Sequence, residues 1–129
     1  DFVVNRLMQI LNDEGKPLRG ANVLVLGVAY KKDIDDYRES PVLRILERLE
    51  RAGANYTVVD PHVKSFKFKG KMIKTVELEK KQLQEADIVL ITTDHTTFDY
   101  DMIGQESQII FDTRNTLAKM HAKGKYFKL

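Results

Sequence analysis

The chain has 129 residues, 43% of them hydrophobic, with a formal net charge of +2, which suits one compact domain that can bury a core without staples. It has no cysteine, so a disulfide framework, a thiolate nucleophile and a zinc–thiolate site are excluded, and a cytoplasmic setting is expected. Apolar runs such as Ile88 to Ile91 are far too short to span a bilayer, no charged-then-apolar signal segment opens the chain, and no membrane partner is expected.

Val4, Leu7, Met8 and Leu11 follow the i, i+3, i+4, i+7 spacing of one apolar helix face, and Gly15 is placed to end that helix. A start inside a helix suggests a longer helix upstream. The expected division is therefore residues 1–15 as the end of a connecting helix and residues 16–129 as the domain proper. Asn22 to Leu26, closed by Gly27, reads as a buried strand. A polar, acidic stretch follows. Ser40-Pro41 then supplies an N-cap and an N1 proline for a helix with Val42, Ile45, Leu46 and Leu49 on one face. Glu47 and Arg51 form an i, i+4 pair on it, and Gly53 stops it.

Tyr56 to Val59 predicts a second strand, which must turn at Asp60-Pro61. Phe66 and Phe68 alternate with lysines like a half-buried edge strand. The lysines Lys64, Lys67, Lys69, Lys71, Lys74, Lys80 and Lys81 crowd one third of the chain; they read as solvated surface, with no nucleic-acid partner expected. Leu78 to Ala86 predicts a short helix, Asp87 to Thr92 a third strand, and Gln108 to Phe111 a last one. Strands alternating with helices at this spacing imply an α/β fold, a Rossmann-like three-layer sandwich with a mainly parallel sheet.

Ligands in open α/β sheets bind at the carboxyl ends of the strands. Those ends carry Tyr30 and Lys31 after the first strand, Asp60-Pro61-His62 after the second, Thr93-Asp94-His95 after the third and Asp112-Thr113-Arg114 after the last. Tyr30 offers a ring for stacking, and Lys31 and Arg114 offer cations for phosphate. One aromatic and two cations at one rim suit a nucleoside diphosphate. Gly27 is followed by Val, Ala, Tyr and Lys, so the glycines of a dinucleotide fingerprint are missing, and so is a Walker A loop. Asp60 is read as a capping or turn aspartate rather than a ribose ligand. His62, His95 and His121 lack metal-ligand spacing, and no metal is expected. Ser40 has a sufficient role as an N-cap, and no nucleophile-elbow pattern surrounds it. The acidic residues Asp33, Asp35, Asp36 and Glu39 are expected to pair with Lys31, Lys32 and Arg38 to hold their loop, since they lack calcium-loop spacing.

The run Val23-Leu24-Val25-Leu26-Gly27-Val28-Ala29-Tyr30-Lys31, followed by Asp33, Asp36, Arg38, Ser40 and Pro41, resembles the opening of the carboxy-terminal domain of the UDP-glucose/GDP-mannose dehydrogenase family. Gly53-Ala54, Asp60-Pro61, Ala86-Asp87, Thr93-Asp94-His95 and Asp112-Thr113-Arg114-Asn115 continue the resemblance in the same order over nearly the whole chain. The resemblance implies a domain that binds the UDP part of a UDP-sugar, with Tyr30, Lys31 and Arg114 as ligand-binding residues. Asp36, Arg38 and Ser40 are implied to shape the loop. It further implies an enzyme in which NAD and a nucleophilic cysteine belong to upstream domains, so that this chain alone binds without turning over. NAD is the implied cofactor of that enzyme, and the full-length protein is implied to be a homo-oligomer, with this part able to stand as a monomer. Tyr30, and His95 after Thr93-Asp94, resemble the branch acting on UDP-N-acetylglucosamine or UDP-N-acetylmannosamine for surface polysaccharides. The alternative is a stand-alone flavodoxin-like binding or regulatory module.

Overall fold

The computed structural model describes residues 2–38, 40–116 and 120–129. In chain order its elements are α1 (Phe2–Asp13), β1 (Asn22–Leu26), α2 (Val42–Arg51), β2 (Asn55–Val59), β3 (Ser65–Phe68), β4 (Lys71–Lys74), α3 (Lys80–Glu85), β5 (Ile88–Ile91), α4 (Tyr100–Glu106), β6 (Ile109–Asp112) and β7 (Lys125–Lys128). Five strands form one parallel sheet in the order β2-β1-β5-β6-β7. Parallel neighbours need crossover connections, and α2 lies on that from β1 to β2, α3 on that from β2 to β5 and α4 on that from β5 to β6.

Period-two alternation in the strands splits the core between the two sheet faces. Val23 and Val25 of β1 pack with Val4, Leu7, Ile10 and Leu11 of α1 and Val42, Ile45, Leu46 and Leu49 of α2. Leu24 and Leu26 face the other way, onto Leu83 of α3 and Ile103 of α4. The result is three layers, as the spacing of elements predicts. Every residue of β5 and β6 is buried, as expected for strands covered on both faces.

Several boundaries and three elements differ from the sequence reading. On α1 the buried face is Val4, Leu7, Ile10 and Leu11, while Met8 stays 38% exposed. Those four residues belong to the same core cluster as β1 and α2, so α1 is packed into the body of the domain. Phe66 and Phe68 are buried as their alternation predicts, but in a separate antiparallel hairpin, β3–β4, outside the main sheet. Ser40 does the work of a cap: its Oγ accepts the Val42 N–H at 3.2 Å, and Pro41 already has helical dihedrals. At the far end Ala54 N–H donates to Leu49 O and Gly53 N–H to Glu50 O, closing α2 where the glycine was read as a stop.

The strand β4, exposed along most of its length, the helix α4 and the strand β7 were not legible. Gly104 interrupts the pattern of α4, and its reason is tertiary: a Cβ there would lie 2.2 Å from the His121 carbonyl oxygen. In β7, neither Tyr126 nor Phe127 is fully buried, so the strand lacks the apolar contrast that marks the others.

Candidate functional site at the strand ends

The order β2-β1-β5-β6-β7 makes a switch point between β1 and β5, because the chain leaves β1 towards β2 and returns on the opposite side of β1. Ligands of doubly wound sheets gather over the carboxyl ends at such a point. The loops after β1, β5 and β6 carry Tyr30-Lys31, Asp94-His95 and Arg114, so the residues selected from sequence share one edge. From β1 to β6 is two strand spacings, about 10 Å.

Tyr30 is 46% exposed, Lys31 is exposed, and the Lys31 Nζ stands 5.8 Å from the centre of the Tyr30 ring. That separation is within cation–π range and keeps ring and ammonium together at the rim. Arg114 is exposed. Its Nε lies 3.9 Å from Asp94 Oδ1, which draws the guanidinium towards the loop after β5. Its own backbone N–H is held by Asp112 Oδ1 at 2.9 Å. Asp112 is buried, and its other oxygen accepts from the Thr116 N–H and Oγ1 and from the Tyr126 hydroxyl. Burial and the hydrogen bond to Asp112 raise the Tyr126 phenol well above its ordinary value, so it stays a donor.

Beneath the rim is a polar group that spacing did not reveal. Asp60, at the end of β2, is 4% exposed. Its Oδ2 accepts the Val28 N–H at 2.8 Å, the Ala29 N–H at 3.0 Å and the His95 Nε2 at 3.0 Å. Its Oδ1 accepts the His62 N–H at 2.9 Å, the turn role that the sequence suggested. Burial pushes the Asp60 carboxyl up, and the hydrogen bonds from His95 and the three amides outweigh it, so it lies below its ordinary value. His95 is wholly buried, and its Nδ1 accepts the Asp33 N–H at 2.7 Å.

Asp33 does not pair with the lysines as expected. Its Oδ1 accepts from the Thr96 N–H and Oγ1 at 2.8 and 3.1 Å, which tie the loop after β1 to the loop after β5. The Thr96 amide foremost holds the Asp33 carboxyl below its ordinary value. Asp36 does pair with Arg38, through both oxygens at 3.1 and 3.2 Å, and Arg38 likewise lowers its carboxyl. The Asp36 carbonyl accepts the Tyr30 N–H at 2.6 Å. Glu39 lies outside the described residues.

Folding gathers Asp33, His62 and His95, with one ligand atom from each inside 4.8 Å. The His62 Nε2 is buried without a hydrogen-bond partner among the described residues, 3.7 Å from Asp33 Oδ1. A metal would need the Nδ1 lone pair of His95, which already takes the Asp33 N–H, while Nε2 serves Asp60. The cluster is thus wired as a hydrogen-bond network. An NAD site also fails to fit: the one acidic residue placed for a ribose, Asp60, spends both oxygens inward. A cavity of about 710 Å³ does open beside it, with both apolar and polar lining, Val59, Phe98 and Met102 among the first and Lys64, Glu77 and Thr97 among the second. None of Tyr30, Lys31 and Arg114 lines it.

Among known proteins, the model of the UDP-glucose/GDP-mannose dehydrogenase family, UDP binding domain, matches residues 24–119. A UDP-N-acetyl-D-mannosamine dehydrogenase from Campylobacter jejuni is 34% identical over 101 residues, 76% of this chain and 24% of that protein. A UDP-glucose 6-dehydrogenase from Rhizobium meliloti is 28% identical over 119 residues, 86% of this chain and 27% of that protein. The solved structure of a UDP-D-ManNAc dehydrogenase from Pyrococcus horikoshii superposes with a TM-score of 0.78 at 26% identity, over 98% of this chain and 29% of that one. The chain therefore spans between about a quarter and three tenths of these relatives.

Proposed function

The chain belongs to the UDP-glucose/GDP-mannose dehydrogenase family, as its UDP-binding domain, and from that premise we propose that Tyr30, Lys31 and Arg114 hold the nucleotide of a UDP-sugar. The observation that carries the reading is their placement. A ring and two cations stand exposed at the carboxyl ends of β1 and β6, around the switch point of the sheet. Tyr30 would stack on a flat face, and Lys31 and Arg114 would meet the diphosphate, the arginine in fork geometry. Asp36 and Arg38 shape the segment below them, and Ser40 starts the helix that follows.

The activity we propose belongs to a longer protein. It is the NAD-dependent oxidation of the sugar's primary alcohol to a carboxylate, with NAD and the nucleophile supplied by parts outside this chain. The missing glycines after Gly27 and the committed carboxylate of Asp60 support the placement of NAD elsewhere. Relatives named for UDP-N-acetyl-D-mannosamine favour a UDP-N-acetylhexosamine as substrate, in the mannosamine or glucosamine series. This chain alone is then inactive. A cytoplasmic, homo-oligomeric full-length enzyme fits the same reading, without membrane or nucleic-acid partners. No helix among the described residues is long and apolar enough to cross a membrane.

The test is a calorimetric or NMR titration of the purified chain with UDP, ADP and NAD. Selective binding of UDP is expected, weakened about tenfold or more in Lys31→Ala and in Arg114→Ala, the scale of one charge-assisted hydrogen bond. Equal binding of ADP, or tight binding of NAD, refutes the assignment.

A further inference from the structure

We infer that His95 is the positioning residue of the nucleotide-binding segment: with Asp60 as its partner, it clamps the backbone on both sides of Tyr30 and Lys31. The inference rests on the nucleotide role proposed for those two side chains, and extends it to groups buried beneath them.

The segment is held at both ends by one pair. On its amino-terminal side, Asp60 Oδ2 takes the N–H groups of Val28 and Ala29. On its carboxy-terminal side, His95 Nδ1 takes the N–H of Asp33. The two holds are joined by the 3.0 Å contact of His95 Nε2 with Asp60 Oδ2. Thr93 adds a third tie, its hydroxyl donating to the Ala29 carbonyl at 2.9 Å.

These partners dictate the state of the ring. A main-chain N–H can only donate, so Nδ1 is a bare acceptor, and the proton of the neutral ring sits on Nε2, aimed at the carboxylate. Phenylalanine could fill the same space but would supply neither the donor nor the acceptor. Asp33 has a φ of 60°, a left-handed conformation that aspartate adopts more readily than most non-glycine residues and that surrounding contacts help to hold. Here the imidazole holds its amide, and Thr96 holds its carboxylate.

The consequence is preorganisation. The backbone of residues 28–33 is fixed from below, while the side chains of Tyr30 and Lys31 stay exposed above it. A ligand that meets a backbone already in place does not have to order it on binding. Had His95 only a packing role, its loss would loosen the whole core and leave the segment no more affected than the rest.

The experiment compares wild type, His95→Phe, His95→Gln and Asp33→Gly by amide hydrogen exchange, by the ¹⁵N signature of the His95 ring, and by UDP titration. In wild type the Nε2–H tautomer is expected. In His95→Phe the Ala29 and Asp33 amides should exchange about tenfold faster or more, and UDP affinity should fall by a similar factor. The Leu24 and Leu90 amides should stay near their wild-type rates. Glutamine, which keeps a donor and an acceptor, should restore part of both losses. Asp33→Gly suits the observed φ, removes the carboxylate that holds Thr96 and faces His62, and keeps the N–H that His95 accepts. As a control that leaves the clamp in place it should keep the Ala29 amide protected, and the tautomer of the wild-type ring tests the clamp even where His95→Phe fails to fold. The inference is overturned by an Nδ1–H tautomer, by uniform loss of protection in His95→Phe, or by unaltered UDP affinity in a folded His95→Phe or His95→Gln variant. A wild-type chain indifferent to UDP defeats the nucleotide reading instead, and the clamp then stands or falls on the exchange rates.

Discussion

Gly27 is where the fold and the candidate site are most tightly joined, and Gly27→Ala is expected to damage both. The residue ends β1 with φ of 105°, and a Cβ built there would lie 2.4 Å from Thr93 Cβ, 2.6 Å from Thr93 Oγ1 and 2.8 Å from the Thr93 amide nitrogen. The backbone conformation alone costs a non-glycine residue about 1–3 kcal/mol. The collision involves main chain of the neighbouring β5 loop, which cannot swing aside as a side-chain tip could, and adds about 1–3 kcal/mol. The sum, about 2–6 kcal/mol, is a large part of the roughly 5–15 kcal/mol that stabilises a typical domain. At roughly 4 °C per kcal/mol for a chain of this size, the melting temperature should fall by about 8–24 °C. Gly15→Ala is the matched control, because Gly15 also has positive φ, 75°, but nothing within 4 Å of the added carbon; its loss should stay near 1 kcal/mol. Urea unfolding of both variants at one temperature separates conformational from steric cost. A Gly27→Ala loss below about 1 kcal/mol, or one equal to that of Gly15→Ala, would show that the close approach to Thr93 does not constrain the strand ends.

Two further outcomes follow from the same structure. Gly104→Ala places a carbon 2.2 Å from the His121 carbonyl inside the packing that brings the chain round to β7, and should cost about 1–3 kcal/mol in a urea titration; an unchanged midpoint would contradict that contact. For Asp60 the sign is set by its lowered carboxyl. A depressed carboxylate contributes stability above its unfolded value of about 4 and loses it as pH falls through the folded one. Wild type should therefore lose stability on acidification below about pH 4. Asp60→Asn, weaker at neutral pH, should show a shallower decline, and parallel pH profiles of the two would refute the assignment.

Local pattern was enough for most of the architecture. Unbroken apolar runs marked β1 and β5, and the face Val42, Ile45, Leu46 and Leu49 marked α2. Ser40-Pro41 and Gly53 bounded that helix because capping chemistry acts within a few residues. The rim residues Tyr30, Lys31 and Arg114 could be selected because strand ends in a parallel sheet share one edge whatever the rest of the fold does. Met8 against Ile10 on α1 went the other way. The two flank the Val4, Leu7 and Leu11 stripe on opposite sides, and only the position of β1 and α2 decides which is covered.

Tertiary structure alone decided the layer beneath the rim. Asp60 and His95 are 35 residues apart, and Asp33 and His95 are 62 apart. No short-range spacing relates them, and their types are those of any polar loop. They meet because β2, β1 and β5 lie side by side in parallel, so that their carboxyl ends converge within hydrogen-bond reach. A buried carboxylate there must be satisfied, and the groups nearest to hand are the imidazole and the backbone amides of the converging loops. Sequence determines which side chains stand at each strand end; the order of strands in the sheet determines which of those ends become neighbours.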